Sequence, residues 1–210
     1  MPHAIESAAP DQAAASQQPG ASRARELGLR AQKKLLSRLA ASQAGKALLI
    51  DEPTSALLDN LHALMERAAR GRPELLRRQP DKVLKNVVKL SVKVGLLQRG
   101  QQLGAADAGR VLELRRALRA AALAALSFYE LEFSFDRGYM SGALERCRAA
   151  LQALIRPHLS DKSLERVDQV FDFVAHPDFL EAVFGQGSAL RPALGALVLD
   201  LDKALEAGQL

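Results

Sequence analysis

The 210-residue chain has one cysteine, Cys147, no tryptophan and 4% aromatic residues. A single cysteine excludes an intramolecular disulfide and fits a reducing compartment. A chain of this length buries about 70% of its unfolded surface, so it needs neither a disulfide nor a metal to fold. No apolar run approaches the roughly 20 residues that span a bilayer. The opening MPHAIESAAPDQAAASQQPG has no basic start leading into an apolar stretch, so it does not read as a secretory signal. A soluble, cytoplasmic protein is the expectation. The histidines are His3, His62, His158 and His176. No two of them lie three or four residues apart, so no metal centre is expected.

The charge is abundant and uneven. The net charge is +5, from 29 basic and 24 acidic residues. Residues 23–46 carry Arg23, Arg25, Arg30, Lys33, Lys34, Arg38 and Lys46 against Glu26 alone. Residues 77–99 carry Arg77, Arg78, Lys82, Lys85, Lys89, Lys93 and Arg99 against Asp81 alone. From residue 160 onward acidic residues prevail. An anionic partner should therefore meet the N-terminal half.

Residues 1–22, rich in Ala, Gln, Ser and Pro, have no periodic apolar stripe and read as a disordered tail. From residue 23 the pattern is helical, punctuated at Pro53, Gly71–Pro73, Pro80, Gly100–Gly104, Gly138, Pro157, Pro177 and Gly185–Gly187. Helices are expected at about 23–42, 54–70, 81–99, 106–127, 138–156, 160–175, 177–184 and 188–206. The first is a basic amphipathic helix, with Arg30, Lys34 and Arg38 on one face and Leu35, Leu36 and Leu39 opposite. In the third, Lys82, Lys85, Lys89 and Lys93 fall within an arc of about 80° at 100° per residue, opposite Leu84, Val87, Ser91 and Val94. The fourth is apolar around most of its circumference, with Arg115 and Arg119 beside its apolar sectors, and should be central. SFYELEFSFDR, 127–137, reads as an extended connection or a helix end. The fold expected is all-α: one domain of six to seven helices behind the basic helix and loop of 23–46, with the core in 47–210.

One stretch points toward ATP chemistry. LLIDEPTS, 48–55, resembles the Walker B segment of cassette ATPases. Such an enzyme also needs a Gly-rich phosphate loop ending in Gly-Lys-Ser/Thr, placed well upstream. The only Gly-Lys, Gly45-Lys46, is followed by Ala47 and directly precedes the segment. No alternating strand–helix pattern supplies a parallel sheet. Asp51, Pro53 and Thr54 instead read as a helix start. Cys147 shares an apolar stripe with Leu144, Leu151 and Leu154, as a buried thiol does. Glu130 and Glu132 are explained equally by a carboxylate pair and by a solvated alternation. No catalytic residue is assigned.

The lysine stripe leaves three readings open: a solvated face, a nucleic-acid surface and an anionic membrane surface. Aromatics interleaved with the basic residues, as nucleic-acid binding favours, are missing. The separate basic amphipathic helix favours the membrane reading.

Several stretches together carry a family resemblance: AQKKLLSRLA (31–40), LIDEPTSALLDNL (49–61), LLQRGQQLG (96–104), SFYELEFSFDR (127–137), RPHLSDKSLERVDQVFDFVAHPDFLEAVF (156–184) and LDKALEAGQL (201–210). In this order they resemble the tumour necrosis factor alpha-induced protein 8 family, also called TIPE proteins. The resemblance implies antiparallel helices around a central apolar cavity open at one end. It further implies a non-enzymatic protein that binds and transfers phosphoinositides and acts in apoptosis and immune signalling. Acyl chains would enter the cavity, and basic residues at its mouth would hold the headgroup.

Residues matching the family's headgroup positions are Lys33, Lys34, Arg38, Arg99 and Arg115; Arg38 stands where lysine is usual. Arg30, Lys85, Lys89 and Lys93 are candidates for facing an anionic membrane, to which the protein would bind reversibly. Pro53, Ala56 and Leu164-Glu165 depart from the family pattern, and the 42–46 loop is one residue longer. The expected ligand is a phospholipid, with no other cofactor and no nucleic-acid partner. The alternative is a helical adaptor, without lipid, that binds acidic signalling proteins.

Overall fold

A computed structural model describes residues 22–36, with the side chains of 34–36 left aside, and residues 51–209. The described residues form α1 (Arg23–Leu36), α2 (Glu52–Ala69), α3 (Pro73–Arg77), α4 (Pro80–Arg99), α5 (Ala108–Glu130), α6 (Arg137–Ile155), α7 (Asp161–Val174), α8 (Pro177–Phe184) and α9 (Arg191–Glu206). No strand occurs among them, and the all-α expectation holds. The tail and the 37–50 segment, with Arg38, lie outside the described residues.

Local chemistry sets the helix starts. The Asp51 side chain accepts a hydrogen bond from the Thr54 amide at 2.9 Å, and Pro53 occupies the first turn of α2. This is a helix cap, as the sequence indicated, with a position and partner unlike a magnesium ligand on a strand. Asp136 caps α6 in the same way through the Tyr139 amide at 2.9 Å. Prolines also stand in the first turns of α3, α4, α8 and α9. Gly71, at φ +75°, makes the left-handed turn that separates α2 from α3.

The aromatic stretch is a helix end. α5 runs on to Glu130 because Phe128 falls on its buried side, where it meets Phe135, Tyr139 and Phe184 edge-on. A single 3₁₀ turn, Glu132–Ser134, follows.

Six helices close a ring in the spatial order α5, α6, α7, α4, α2, α9 and back to α5, each packed on the next. Cross-links fix their directions. Asn86 and Lys93 of α4 bond Gln169 and Ser163 of α7, so those helices are antiparallel. The Arg191 guanidinium at the start of α9 donates to the Tyr129 carbonyl at the end of α5 and lies over the Tyr129 ring. Asn60 of α2 donates to Asp200 of α9 at 2.7 Å. Neighbours around the ring alternate in direction.

α8 packs on α2, α6, α7 and α9 at the end where α2, α5 and α7 finish, and so closes that end. Its Phe179, Leu180, Val183 and Phe184 join a core that includes Leu64, Met65, Leu75, Val83, Phe128, Met140, Phe173 and Leu194. α1 lies outside the ring, along α4 and α2. Its Ala24, Leu27 and Ala31 pack on Leu58, Leu84, Val88 and Val92.

Candidate functional site: the ring interior and its open rim

The ring interior is apolar at both ends. At the α8 end, α2 contributes Leu64, Met65 and Ala68, α4 contributes Val83, and α9 contributes Leu194 and Leu197, all buried. Toward the other end Leu90, Leu97, Leu154 and Ile155 are buried too, alongside Leu57, Leu61, Val87, Val94 and Leu201, which keep partial exposure while still packing on the core. α8 closes one end, and no helix plugs the opposite one among the described residues.

α5 shows such partial exposure on one surface. Its buried arc comprises Ala117, Ala121, Ala122, Ala124, Ala125 and Phe128. At about 100° per residue, Leu118 falls inside that arc, between Ala125 and Ala122. Yet Leu118 is 36% exposed. Leu118 thus keeps solvent access from the core side of α5. Arg115 sits at the edge of the same arc, one turn nearer the start of α5, and is exposed. A long cationic side chain there can reach past apolar neighbours to an anion at the rim.

The rim is built from the start of α2, the end of α4 and the start of α5. Arg99, the last residue of α4, is exposed. The Asp51 carboxyl is held below its ordinary range, chiefly by hydrogen bonding to Thr54, with a smaller attraction from Arg99. Arg99 therefore stands within electrostatic reach of the α2 start. Across the rim, buried Asp107 accepts from Arg110 at 2.7 Å and from the Gly104 amide at 3.2 Å, and pairs with His158 at 3.1 Å. Arg110 is the chief cause of its lowered pKa. This network ties the α4–α5 loop to the α6–α7 turn.

α1 starts beside the start of α4, where Arg23 pairs with Asp81 at 2.6 Å. Packed along α4, and rising about 1.5 Å per residue like it, it carries exposed Lys33 toward the last turns of α4. Arg30 is exposed on the same helix and pairs loosely with Glu26 at 3.8 Å. Lys34 is in α1, but its side chain is not described.

The basic face of α4 is joined by a cation that sequence reasoning missed. Lys85 and Lys89 are exposed and Lys93 is half-buried. The Lys93 ammonium donates to Ser163 at 2.6 Å. Its pKa is lowered, chiefly by burial and then by Arg166 and Lys89. Arg166 of α7 thus belongs to the same cationic face, toward the rim end of the ring. Its only signal in the sequence is a basic residue on α7, and nothing there shows which helix α7 packs on. Cys147 is buried, and burial pushes its thiol up to about 11, as suits a structural residue. Glu132 is a structural tie: it accepts from the Gly187 amide and pairs with Arg191. No helix among the described residues is long and apolar enough to cross a membrane.

Residues 22–208 match the family model described as "Tumor necrosis factor alpha-induced protein 8-like". The chain is 38% identical over 186 residues to human "Tumor necrosis factor alpha-induced protein 8-like protein 1", covering 89% of this chain and 97% of the relative. It is 35% identical over 188 residues to a protein of Drosophila pseudoobscura pseudoobscura named "Tumor necrosis factor alpha-induced protein 8-like protein", covering 90% and 97%. It is also 35% identical over 185 residues to "Protein salivary glands marred" of Drosophila melanogaster, covering 88% and 95%. With this match spanning every helix of the ring, the chain belongs to the tumor necrosis factor alpha-induced protein 8-like family.

Proposed function

We propose that the protein binds a phosphoinositide and carries it between membranes, with the acyl chains inside the helix ring and the headgroup held by cations at the open rim. The observation that carries this reading is Leu118, which lies on the core side of α5 yet keeps 36% exposure, with Leu57, Leu61 and Leu201 partly exposed on facing helices. An acyl chain gains about 0.8 kcal/mol for each CH₂ it buries, so an apolar space favours lipid over water. Arg99 and Arg115 would grip phosphate, since guanidinium forks match its oxygens. Lys33, with Lys34 and Arg38, would guide the headgroup from the α1 side. Lys85, Lys89, Lys93 and Arg166 would hold the protein on an anionic surface. Membership of the family fits a role in apoptosis and immune regulation.

The test is transfer of labelled phosphoinositide between vesicles. Arg99→Glu combined with Arg115→Glu should reduce extraction at least about tenfold, since each lost charge-assisted contact is worth about 1.5–3 kcal/mol. Unchanged extraction by a folded double variant would overturn the headgroup assignment.

A second reading, a helical adaptor for acidic signalling proteins, is favoured by the same cationic face of α4 and α7. It predicts salt-sensitive protein binding with no lipid in the ring.

A further inference from the structure

A second cluster of chemically capable side chains lies away from the rim, on the outer side of the ring beneath the start of α1. His62 and Glu66 stand one turn apart on α2, and Asp81 lies in the first turn of α4. His62 Nε2 is 3.0 Å from Asp81 Oδ1 and 3.4 Å from Glu66 Oε1. One ligand atom from each of the three lies within 4.8 Å of the others. Ligands held at about 2.0–2.2 Å from a tetrahedral zinc are themselves about 3.3 Å apart. His62 Nε2 is hydrogen-bonded to Asp81, and the spacing around it is close to that of a metal's ligand shell.

Burial supports the same assignment. The His62 side chain is 7% exposed, so packing fixes the ring. Glu66 and Asp81 are about half exposed, which leaves an entry path and room for water to complete the shell. Arg23 of α1 reaches the same carboxylates. Its guanidinium is 2.6 Å from Asp81 Oδ1 and 3.9 Å from Glu66 Oε1, the same two oxygens that approach His62. A cation thus already pairs with both carboxylates. Histidine spacing in the sequence does not reveal this set, because two of its members are carboxylates and one comes from another helix.

We infer that His62, Glu66 and Asp81 form a binding site for a divalent first-row metal ion such as zinc, in competition with Arg23 of α1. One imidazole and two carboxylates suit such an ion. Metal uptake displaces Arg23 and so opposes docking of the start of α1. The anchor of that start on Asp59, which accepts from Ser22 Oγ and the Ala24 amide, shares no atom with the site. The inference is independent of the lipid reading.

The experiment is calorimetric titration of the full chain with Zn²⁺ near neutral pH, with circular dichroism as the check on folding. One ion should bind per chain. His62→Gln should weaken binding by more than the roughly 10–100-fold that loss of an outer-sphere partner costs. Arg23→Ala should tighten it about two- to fivefold, the worth of a partly exposed ion pair. Should His62→Gln fail to fold, Glu66→Gln takes its place under the same criterion. Absence of saturable binding overturns the site, as does an affinity that these ligand substitutions leave unchanged. An affinity that Arg23→Ala leaves unchanged overturns the competition.

Discussion

Leu118 offers the sharpest test of whether the ring encloses usable space. It is 36% exposed, so about two-thirds of it is covered. Full burial of a leucine side chain contributes about 1.5–3 kcal/mol, which sets the cost of Leu118→Ala at about 1–2 kcal/mol. Leu64, at 1% exposure, belongs to the closed end. Its replacement by alanine removes the same atoms from a packed site and should cost about 2–5 kcal/mol. The decisive change is in the other direction. Adding bulk to a filled core costs about 1–3 kcal/mol through forced rotamers and backbone shifts. Leu118→Trp in an open interior avoids that cost and stays within about 0.5 kcal/mol of the parent, as substitutions outside packed sites do. The indole then occupies volume that an acyl chain would use, so lipid extraction should fall. Urea unfolding gives the stabilities, and vesicle extraction gives the binding. A loss of more than about 1 kcal/mol in Leu118→Trp would show a filled interior and refute the reasoning.

Three further outcomes follow from particular contacts. A Cβ on Gly195 would lie 2.7 Å from the Tyr129 hydroxyl, whose ring is pinned under Arg191. Gly195→Ala should therefore destabilise by about 1–3 kcal/mol in denaturant unfolding. Cys147 is buried and its thiol is pushed up to about 11. A thiol reagent at mildly alkaline pH should leave the native protein nearly unlabelled and react at once after unfolding. Asp51→Ala removes the α2 cap and should cost about 1 kcal/mol near neutral pH. Because the folded pKa of Asp51 is depressed from 3.8, the stability from its charge is present above that value and is lost as pH falls through the folded pKa. The gap between parent and variant, followed by thermal unfolding across pH, should narrow on acidification; a constant gap would mean the charge contributes nothing.

Much of the fold was legible because its helices are periodic and punctuated. The sequence placed α8 at 177–184, as the structure has it, because Pro177 opens it and Gly185 follows it. α4 and α7 were placed to within a residue at each end. α3 was missed because five residues, PELLR, are too few to show a period. With it the described residues hold eight helices behind the first, where six to seven were expected. The α5 end was read too early, since Phe133 and Phe135 alternate like a strand while Phe128 belongs to the helix. The site was legible only as separate basic residues. Arg166 meets the lysine face because α7 runs antiparallel to α4, and His62 meets Asp81 because α3 folds α4 back along α2. Such pairings are set by packing between helices, which local periodicity does not encode.

The central claim is that the ring holds lipid. Native mass spectrometry of the purified chain, after incubation with phosphoinositide-containing vesicles, measures this directly. The account predicts one phospholipid per chain, lost in Leu118→Trp and depleted in Arg99→Glu/Arg115→Glu. A folded parent chain that emerges without lipid, and binds acidic proteins all the same, would contradict it.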